Sequence, residues 1–181
     1  LAAFCDSWDT DNFDLLVENY RRQIRGLIDG GADLLVGETL LYPQEAEAIL
    51  TAAELEGAGA TMITYSMQSG GFLYSGHDAG PLMGQLENWG AAAVGFNCVA
   101  ADGMVPHLVS KLRRFTKLPL ICKPNAGNPI INEKGQAEYK LEPEPFARIV
   151  KACYENGASF LGGCCGTTPA HMAALKKSLD R

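Results

Sequence analysis

The chain has 181 residues, 47% of them hydrophobic, and a formal net charge of −6 at pH 7. This size and composition are typical of one soluble globular domain, which we assign to residues 1–181. The largest basic cluster is the short stretch "KLRR" at 111–114, and no apolar run approaches the about 18 residues that a membrane-spanning helix needs. We therefore expect neither a nucleic-acid nor a membrane partner.

Six cysteines stand out in a chain that shows no secretory signal pattern at its start. We therefore expect a reducing compartment, the cytoplasm, where thiols serve metals or chemistry more often than disulfides. Three of the cysteines lie within a strand, on a helix face and in an irregular start, where we expect small buried apolar side chains: Cys122, Cys153 and Cys5.

Helical and strand patterns alternate along the whole chain. A helix is predicted over 12–31, ending at Gly30 and Gly31, and a short buried strand over 34–36 runs on to Glu38. The remaining predicted elements are a helix over 43–59, a strand over 61–66, a helix over 80–90, a strand over 91–98, a helix over 103–115, a strand over 118–127, a helix over 144–157, a strand over 158–165 and a helix over 168–179.

This alternation predicts an α/β fold in which parallel strands are covered by helices. An open doubly wound sheet and a (β/α)₈ barrel lacking some of its strands both fit five strands. A complete barrel usually takes about 250 residues. No GxGxxG pattern follows the first strand, which disfavours dinucleotide binding. In either architecture the loops after the strands meet at one rim, where ligands bind.

Three cysteines fall on that rim. Cys98 ends one predicted strand, and Cys164 and Cys165 end another, with a single strand between them. Vicinal cysteines bridge poorly, and at about 4.8 Å per strand step the two rim positions lie about 10 Å apart before barrel curvature shortens the gap. Three thiolates suit zinc and leave its fourth position open. Small buried side chains, or a glycine-rich phosphate loop before the last helix, are the alternatives.

Two motifs carry a resemblance to a known family. "GFNC" at 95–98 and "GGCCGTTPAH" at 162–171 resemble the zinc-cysteine motifs of homocysteine S-methyltransferases. That family includes the homocysteine domain of cobalamin-dependent methionine synthase, betaine–homocysteine methyltransferase and the S-methylmethionine enzymes. Three further stretches follow in the family's order: "GGADLLVGET" at 30–39, "PNAGNP" at 124–129 and "EYKLEPEPFA" at 138–147.

The resemblance implies a (β/α)₈ TIM barrel with Zn²⁺ at its carboxyl rim, held by Cys98, Cys164 and Cys165. It implies that Glu38 helps to hold the homocysteine amino group and that Asn97 and Asn125 lie around the substrate pocket. No catalytic residue is expected beyond the metal ligands. The three histidines are expected to be structural or exposed: His77, His107 and His171.

The implied reaction is zinc-dependent methyl transfer to the thiol of homocysteine, forming methionine. Zinc deprotonates a coordinating thiol, and the thiolate is the nucleophile. The implied donors are S-methylmethionine, betaine, S-adenosylmethionine or a methyl-corrinoid. Four side chains are expected near the donor side, where core or loop packing is the role favoured for them over donor binding: Met67, Phe72, Tyr74 and Trp89.

The chain matches about the last five β/α units of the family barrel and lacks its first three strands. Two strand edges would then stand open, and open apolar edges invite pairing. A longer parent protein, a separate chain supplying the first strands, or a homo-oligomer would cover them. The alternative function is therefore a non-catalytic zinc-binding partial barrel that acts only with a partner chain or an N-terminal segment.

Overall fold

A computed structural model describes residues 10–180, so Cys5 lies outside the described residues. Within that range no helix is long and apolar enough to cross a membrane. The helices are α1 Thr10–Asp29, α2 Pro43–Leu55, α3 Ala79–Asn88, α4 Val105–Arg113, α5 Pro143–Glu155 and α6 Pro169–Leu179. The strands are β1 Leu34–Leu40, β2 Ala60–Tyr65, β3 Ala93–Ala100, β4 Leu120–Asn125, β5 Ile130–Ile131, β6 Ala137–Glu138 and β7 Phe160–Leu161.

Five strands form one parallel sheet in the order β1-β2-β3-β4-β7, which is also their order along the chain. A doubly wound sheet reverses its strand order at a switch point, whereas a barrel wall adds each strand beside the last. The observed order therefore selects a partial (β/α)₈ barrel and excludes the open doubly wound sheet. The predicted α/β fold class, with parallel strands and helices outside, is confirmed.

The helices cover one face of the sheet, which is the outer face of the barrel wall. The largest core cluster joins buried side chains of α2, α3, α4 and α5 to those of β2, β3 and β4, including Ile63, Phe96 and Cys122. Two smaller clusters bury α1 against α2 and β1, and α5 against α6. Cys122 and Cys153 are both fully buried there, as predicted.

The inner face is open at the first strand. Leu35 is buried against α1 and α2, whereas its neighbours Leu34 and Val36 point the other way and are 43% and 48% exposed. Glu38 shares their direction, because a Cβ built on Gly37 would meet Ile63 of the outer core. The alternation therefore places Glu38 on the inner face, near the carboxyl end of β1.

Two elements differ from the sequence prediction. The predicted strand over 158–165 is only two residues long in the sheet, so Cys164 and Cys165 lie in the loop after β7. The loop begins at Gly162, after the last register pair of β4 with β7, although backbone hydrogen bonds to β4 continue through Gly162 and Cys164. A two-stranded hairpin, β5 with β6, was not predicted; Asn132 organises its turn by accepting hydrogen bonds from the backbone amides of Lys134 and Gln136.

One of the four side chains assigned to the donor side is at the opposite end of the barrel. Trp89 caps the C-terminus of α3 and lies with Thr61 near the start of β2, so the assignment to the carboxyl rim was wrong for Trp89. Met67 is buried in the loop after β2, whereas Phe72 and Tyr74 in that loop are 46% and 63% exposed.

Candidate metal and substrate site

The three rim cysteines converge at the carboxyl end of the sheet. Cys98 lies in β3, the loop after β7 carries Cys164 and Cys165, and β4 lies between the two. Backbone hydrogen bonds fix that loop to the end of β4: the Cys164 amide donates to the Pro124 carbonyl, and the Ala126 amide donates to the Cys165 carbonyl, both at 2.9 Å. The parallel sheet thus brings together thiols that are 66 residues apart in the sequence.

The three sulfur atoms all lie within 4.8 Å of one another. The Sγ of Cys98 is 2.8 Å from that of Cys164 and 3.7 Å from that of Cys165, and the vicinal pair is 4.0 Å apart. Zn–S bonds of about 2.3 Å in a tetrahedral site separate the sulfurs by about 3.8 Å. Two of the three separations match that value, and the third requires Cys98 and Cys164 to move apart by about 1 Å. The donor set therefore fits zinc.

The backbone at Cys98 is strained. Cys98 has φ 56° and Thr39 has φ 64°, and they are the two non-glycine residues with positive φ among residues 10–180. Each lies where the register of its strand shifts, between Asn97 and Ala100 in β3 and between Gly37 and Leu40 in β1. Left-handed backbone at residues with a Cβ costs energy and clusters at functional sites, because the surrounding structure must hold it in place.

The side chain of Asn97 holds both strained segments together. Its Oδ1 accepts hydrogen bonds from the Thr39 amide at 3.0 Å and the Thr64 hydroxyl at 2.8 Å. Its Nδ2 donates to the Thr39 hydroxyl at 2.7 Å and points at the Cys164 sulfur at 3.7 Å. Asn97 is fully buried. Both polar atoms of the Asn97 side chain have partners within the protein. We therefore interpret Asn97 as a support for the thiol cluster.

Asn125 supports the other side of the cluster. Its Oδ1 accepts a hydrogen bond from the Cys165 amide at 3.0 Å, and its own carbonyl accepts one from the Gly127 amide. Asn125 is 7% exposed. Both asparagines predicted around the pocket thus contact the cysteine segments directly.

The surroundings shift the pKa values of Cys98 and Cys164 in opposite directions. Burial, followed by hydrogen bonds with Cys164 and Cys165, raises the pKa of Cys98 to about 12. Burial also acts to raise the pKa of Cys164, but hydrogen bonds from Cys98, Asn97 and the Cys165 amide outweigh it, and the pKa falls below its usual value. Hydrogen bonds to a thiolate favour the charged form, so the surroundings of Cys164 favour its thiolate.

Tyr139 contacts the cluster from the loop after the hairpin, and sequence reasoning missed it. Burial and a hydrogen bond with Cys165 raise the pKa of its hydroxyl. Gly166, at φ +76°, lies beneath the ring, and a Cβ there would collide with Tyr139. The stretch containing Tyr139 carried a family resemblance, but nothing local in the sequence indicates that its ring packs beside the vicinal cysteines.

Lys123 was also missed. Its ammonium group forms an ion pair with the Glu38 carboxylate across the inner face. The register of β3 with β4 sets Lys123 opposite Asn97, so Lys123 lies beside the layer that carries the cysteines. The sequence prediction had Glu38 at this site but gave it no protein partner.

The histidines lie away from the thiols. His171 is buried in the first turn of α6, where Nδ1 accepts from the Thr168 amide at 3.1 Å and Nε2 donates to the Leu141 carbonyl at 2.8 Å. His77 is exposed beside the Ser75 hydroxyl, and His107 is exposed on α4. His171 anchors α6 to the loop before α5, which is a structural role.

Comparison with known proteins identifies relatives that match nearly all of the chain. The profile of the family described as "Homocysteine S-methyltransferase" matches residues 2–179. Homocysteine S-methyltransferase YbgG of Bacillus subtilis is 31% identical over 170 residues, which are 92% of this chain and 54% of that protein. Methionine synthase of Mycobacterium leprae is 29% identical over 168 residues, 90% of this chain and 14% of that protein.

Solved structures agree with the sequence relatives. The apo form of the homocysteine methyltransferase MmuM from Escherichia coli superposes with a TM-score of 0.73 at 27% identity, covering 92% of this chain and 57% of that one. Its metallated form superposes with a TM-score of 0.71 at 28% identity, covering 89% and 51%. The chain therefore spans about half the length of YbgG and of MmuM and 14% of the length of the methionine synthase, and by sequence and fold it belongs to the homocysteine S-methyltransferase family.

Proposed function

We propose that this chain transfers a methyl group to the thiol of homocysteine, forming methionine, and that it depends on zinc to do so. Residues 1–181 would act as one homocysteine-binding barrel domain in a reducing, cytoplasmic compartment. The observation that carries the proposal is the convergence of three thiols within 4.8 Å at the carboxyl rim of a barrel wall in a member of this family.

Cys98, Cys164 and Cys165 would hold the metal as thiolates. Zinc in that site supplies positive charge that keeps a coordinating substrate thiol deprotonated at neutral pH. Asn97 and Asn125 would fix the directions of the cysteine side chains through the contacts described above. Glu38, on the inner face next to this layer, would accept a hydrogen bond from the substrate ammonium group.

The methyl donor would approach the same rim. S-methylmethionine, betaine, S-adenosylmethionine and a methyl-corrinoid are the donors we propose to test. Phe72 and Tyr74 expose apolar rings in the loop after β2, at this end of the barrel. The ammonium group of Lys111 already lies over the Phe72 ring, with Nζ 4.8 Å from the ring centroid. Tyr74 therefore has the more accessible ring.

Metal analysis of cysteine variants tests the ligand assignment. We expect one zinc ion per unaltered chain and loss of tightly bound zinc in Cys98→Ala, Cys164→Ala and Cys165→Ala, because two remaining thiolates form an incomplete site. Cys153→Ala is the matched control, since that thiol is buried in the outer core. Zinc retained at full stoichiometry in any of the three rim variants would overturn the assignment.

Methionine formation from homocysteine and each donor then tests the reaction. The unaltered, zinc-loaded chain and the Cys153→Ala control should form methionine with at least one donor, and the rim variants should not. Activity that persists after a chelator has removed the metal would contradict zinc dependence.

One observation favours a second function. Both outer edges of the described sheet, at β1 and β7, are unpaired, and Leu34, Val36 and Phe160 are 43%, 48% and 44% exposed. In this alternative the chain binds zinc but transfers no methyl group unless another polypeptide segment, or a second copy, completes the wall. Zinc binding with methionine formation only after addition of a polypeptide carrying the first strands would support it.

A further inference from the structure

The ion pair between Lys123 and Glu38 crosses the inner face of the barrel wall. Glu38 lies in β1 and Lys123 in β4, and β2 and β3 lie between them. Three steps of about 4.8 Å would separate the two strands by about 14 Å on a flat sheet. The contact therefore depends on the curvature of the wall and on both side chains extending toward the middle of the inner face.

The pair lies next to the thiol cluster. Thr39, which follows Glu38, exchanges two hydrogen bonds with Asn97, and Asn97 directly precedes Cys98. Lys123 is the register partner of Asn97, and its stem crosses Gly162, where an added Cβ would lie 3.2 Å from Lys123 Cγ. One acidic and one basic group thus lie beside the segments that carry the three sulfurs, on the face where the substrate would enter.

The pair is accessible rather than sealed. The side chain of Lys123 is 30% exposed and that of Glu38 is 39% exposed. An ion pair this accessible to water contributes little to the stability of the fold. The two groups can therefore exchange their mutual contact for contacts with a ligand that carries both charges. An α-amino acid is such a ligand, because its ammonium and carboxylate groups sit on one carbon atom.

We propose that Lys123 determines the specificity of this site by binding the α-carboxylate of the amino-acid substrate, while Glu38 binds its α-ammonium group. The zwitterion inserts into the Lys123–Glu38 ion pair and replaces one internal contact with two contacts to the ligand. This inference rests on the proposed function, because it assumes that a thiol substrate reaches the cysteine cluster. It adds a residue that selects α-amino-acid thiols over thiols lacking either charge.

Three thiols of similar length separate the two charges. Homocysteine carries both, γ-mercaptobutyrate lacks the ammonium group, and aminopropanethiol lacks the carboxylate. Binding of each to the zinc-loaded full chain is measured by titration calorimetry. The variants are Lys123→Met, which keeps the stem over Gly162, Lys123→Arg, which restores the charge, and Glu38→Gln, with bound zinc measured in every sample.

The expected result is a crossed pattern. Lys123→Met should weaken homocysteine and γ-mercaptobutyrate about 10-fold to 100-fold, since the hydrogen bond lost joins two charged groups, and should leave aminopropanethiol within about 2-fold. Glu38→Gln should weaken homocysteine and aminopropanethiol and spare γ-mercaptobutyrate. Lys123→Arg should recover most of the homocysteine affinity, and zinc content should stay constant throughout.

Two failures are distinguishable. If the unaltered, zinc-loaded chain binds none of the three thiols, the proposed function is overturned and this inference with it. If that chain binds homocysteine but Lys123→Met weakens all three thiols equally, or none of them, the inference alone is overturned. Equal weakening together with a lower midpoint of urea unfolding would assign the ion pair a structural role.

Discussion

At the scale of single residues, the site depends on a buried amide as much as on thiols. Asn97 connects β1, β2 and the loop after β7 through four contacts, and the strained backbone at Thr39 and Cys98 lies at its sides. A buried polar network of this kind rigidifies a site when every member is satisfied. We interpret Asn97 as the residue that keeps Cys98 and Cys164 directed at one point.

Asn97→Ala tests this interpretation. The change leaves the Thr39 amide and the Thr64 hydroxyl without their acceptor, so we expect unfolding in urea to become easier by about 2–3 kcal/mol. Zinc affinity, measured by competition with a chromogenic chelator, should fall about 10-fold to 100-fold, as is typical when a supporting contact is removed.

Asn132→Ala provides the control for this experiment. Asn132 also makes several hydrogen bonds, but in the exposed hairpin turn. The Asn132→Ala variant should lose order in the hairpin turn and keep the zinc affinity of the unaltered chain. An Asn97→Ala variant with unaltered zinc affinity would show that the cysteines hold their geometry without the amide.

The same scale shows what sequence could and could not predict. The cysteines and Glu38 were found because each stands in a short motif at the end of a strand pattern. Lys123 and Tyr139 were not, because their significance comes from partners that are distant in sequence. Lys123 meets Glu38 across 85 positions, and the Tyr139 ring meets the vicinal cysteines only after the hairpin folds back.

At the scale of elements, the close approach of β3 and β4 brings Cys98 toward the loop after β7. Gly95 permits that approach, because an added Cβ would collide with the Ile121 backbone of the neighbouring strand. Gly95 is buried, and the side chains of its neighbours Val94 and Phe96 are 0% exposed. A backbone obstacle cannot be relieved by a rotamer change, so the strands would have to separate.

Gly95→Ala should therefore destabilise the fold by about 3 kcal/mol, the upper end of the usual range for core overpacking, and should lower zinc affinity with it. Gly26→Ala is the matched control. Gly26 lies in the exposed interior of α1 with open space around its Cβ position, so the change should stabilise by about 0.5–1 kcal/mol. Equal urea midpoints for Gly95→Ala and the unaltered chain would contradict this account.

Element type was well predicted because hydrophobic periodicity reports burial directly. The helices and the five parallel strands follow from apolar spacing and from glycine and proline at the ends. Two-residue strands carry no period, which is why the β5–β6 hairpin was missed and β7 was predicted too long. Trp89 was misplaced because composition alone does not say at which end of the barrel a residue near a helix terminus lies.

At the scale of the whole molecule, a partial barrel wall presents the cysteine rim and an exposed inner face together. The outer core is complete, with large side chains such as Tyr65, Phe96 and Phe146 fully buried. The inner face at β1 is half exposed, and the charged pair of Glu38 and Lys123 crosses it. The three proposed metal ligands all lie on strands and loops that the structure describes, so metal binding can be measured separately from substrate binding.

Zinc-edge X-ray absorption of the unaltered chain, before and after homocysteine is added, tests the central claim most directly. The account predicts three sulfur neighbours at about 2.3 Å in the free protein and a fourth once homocysteine is present. Fewer than three sulfur neighbours in the free protein, or a coordination shell that homocysteine leaves unchanged, would contradict it.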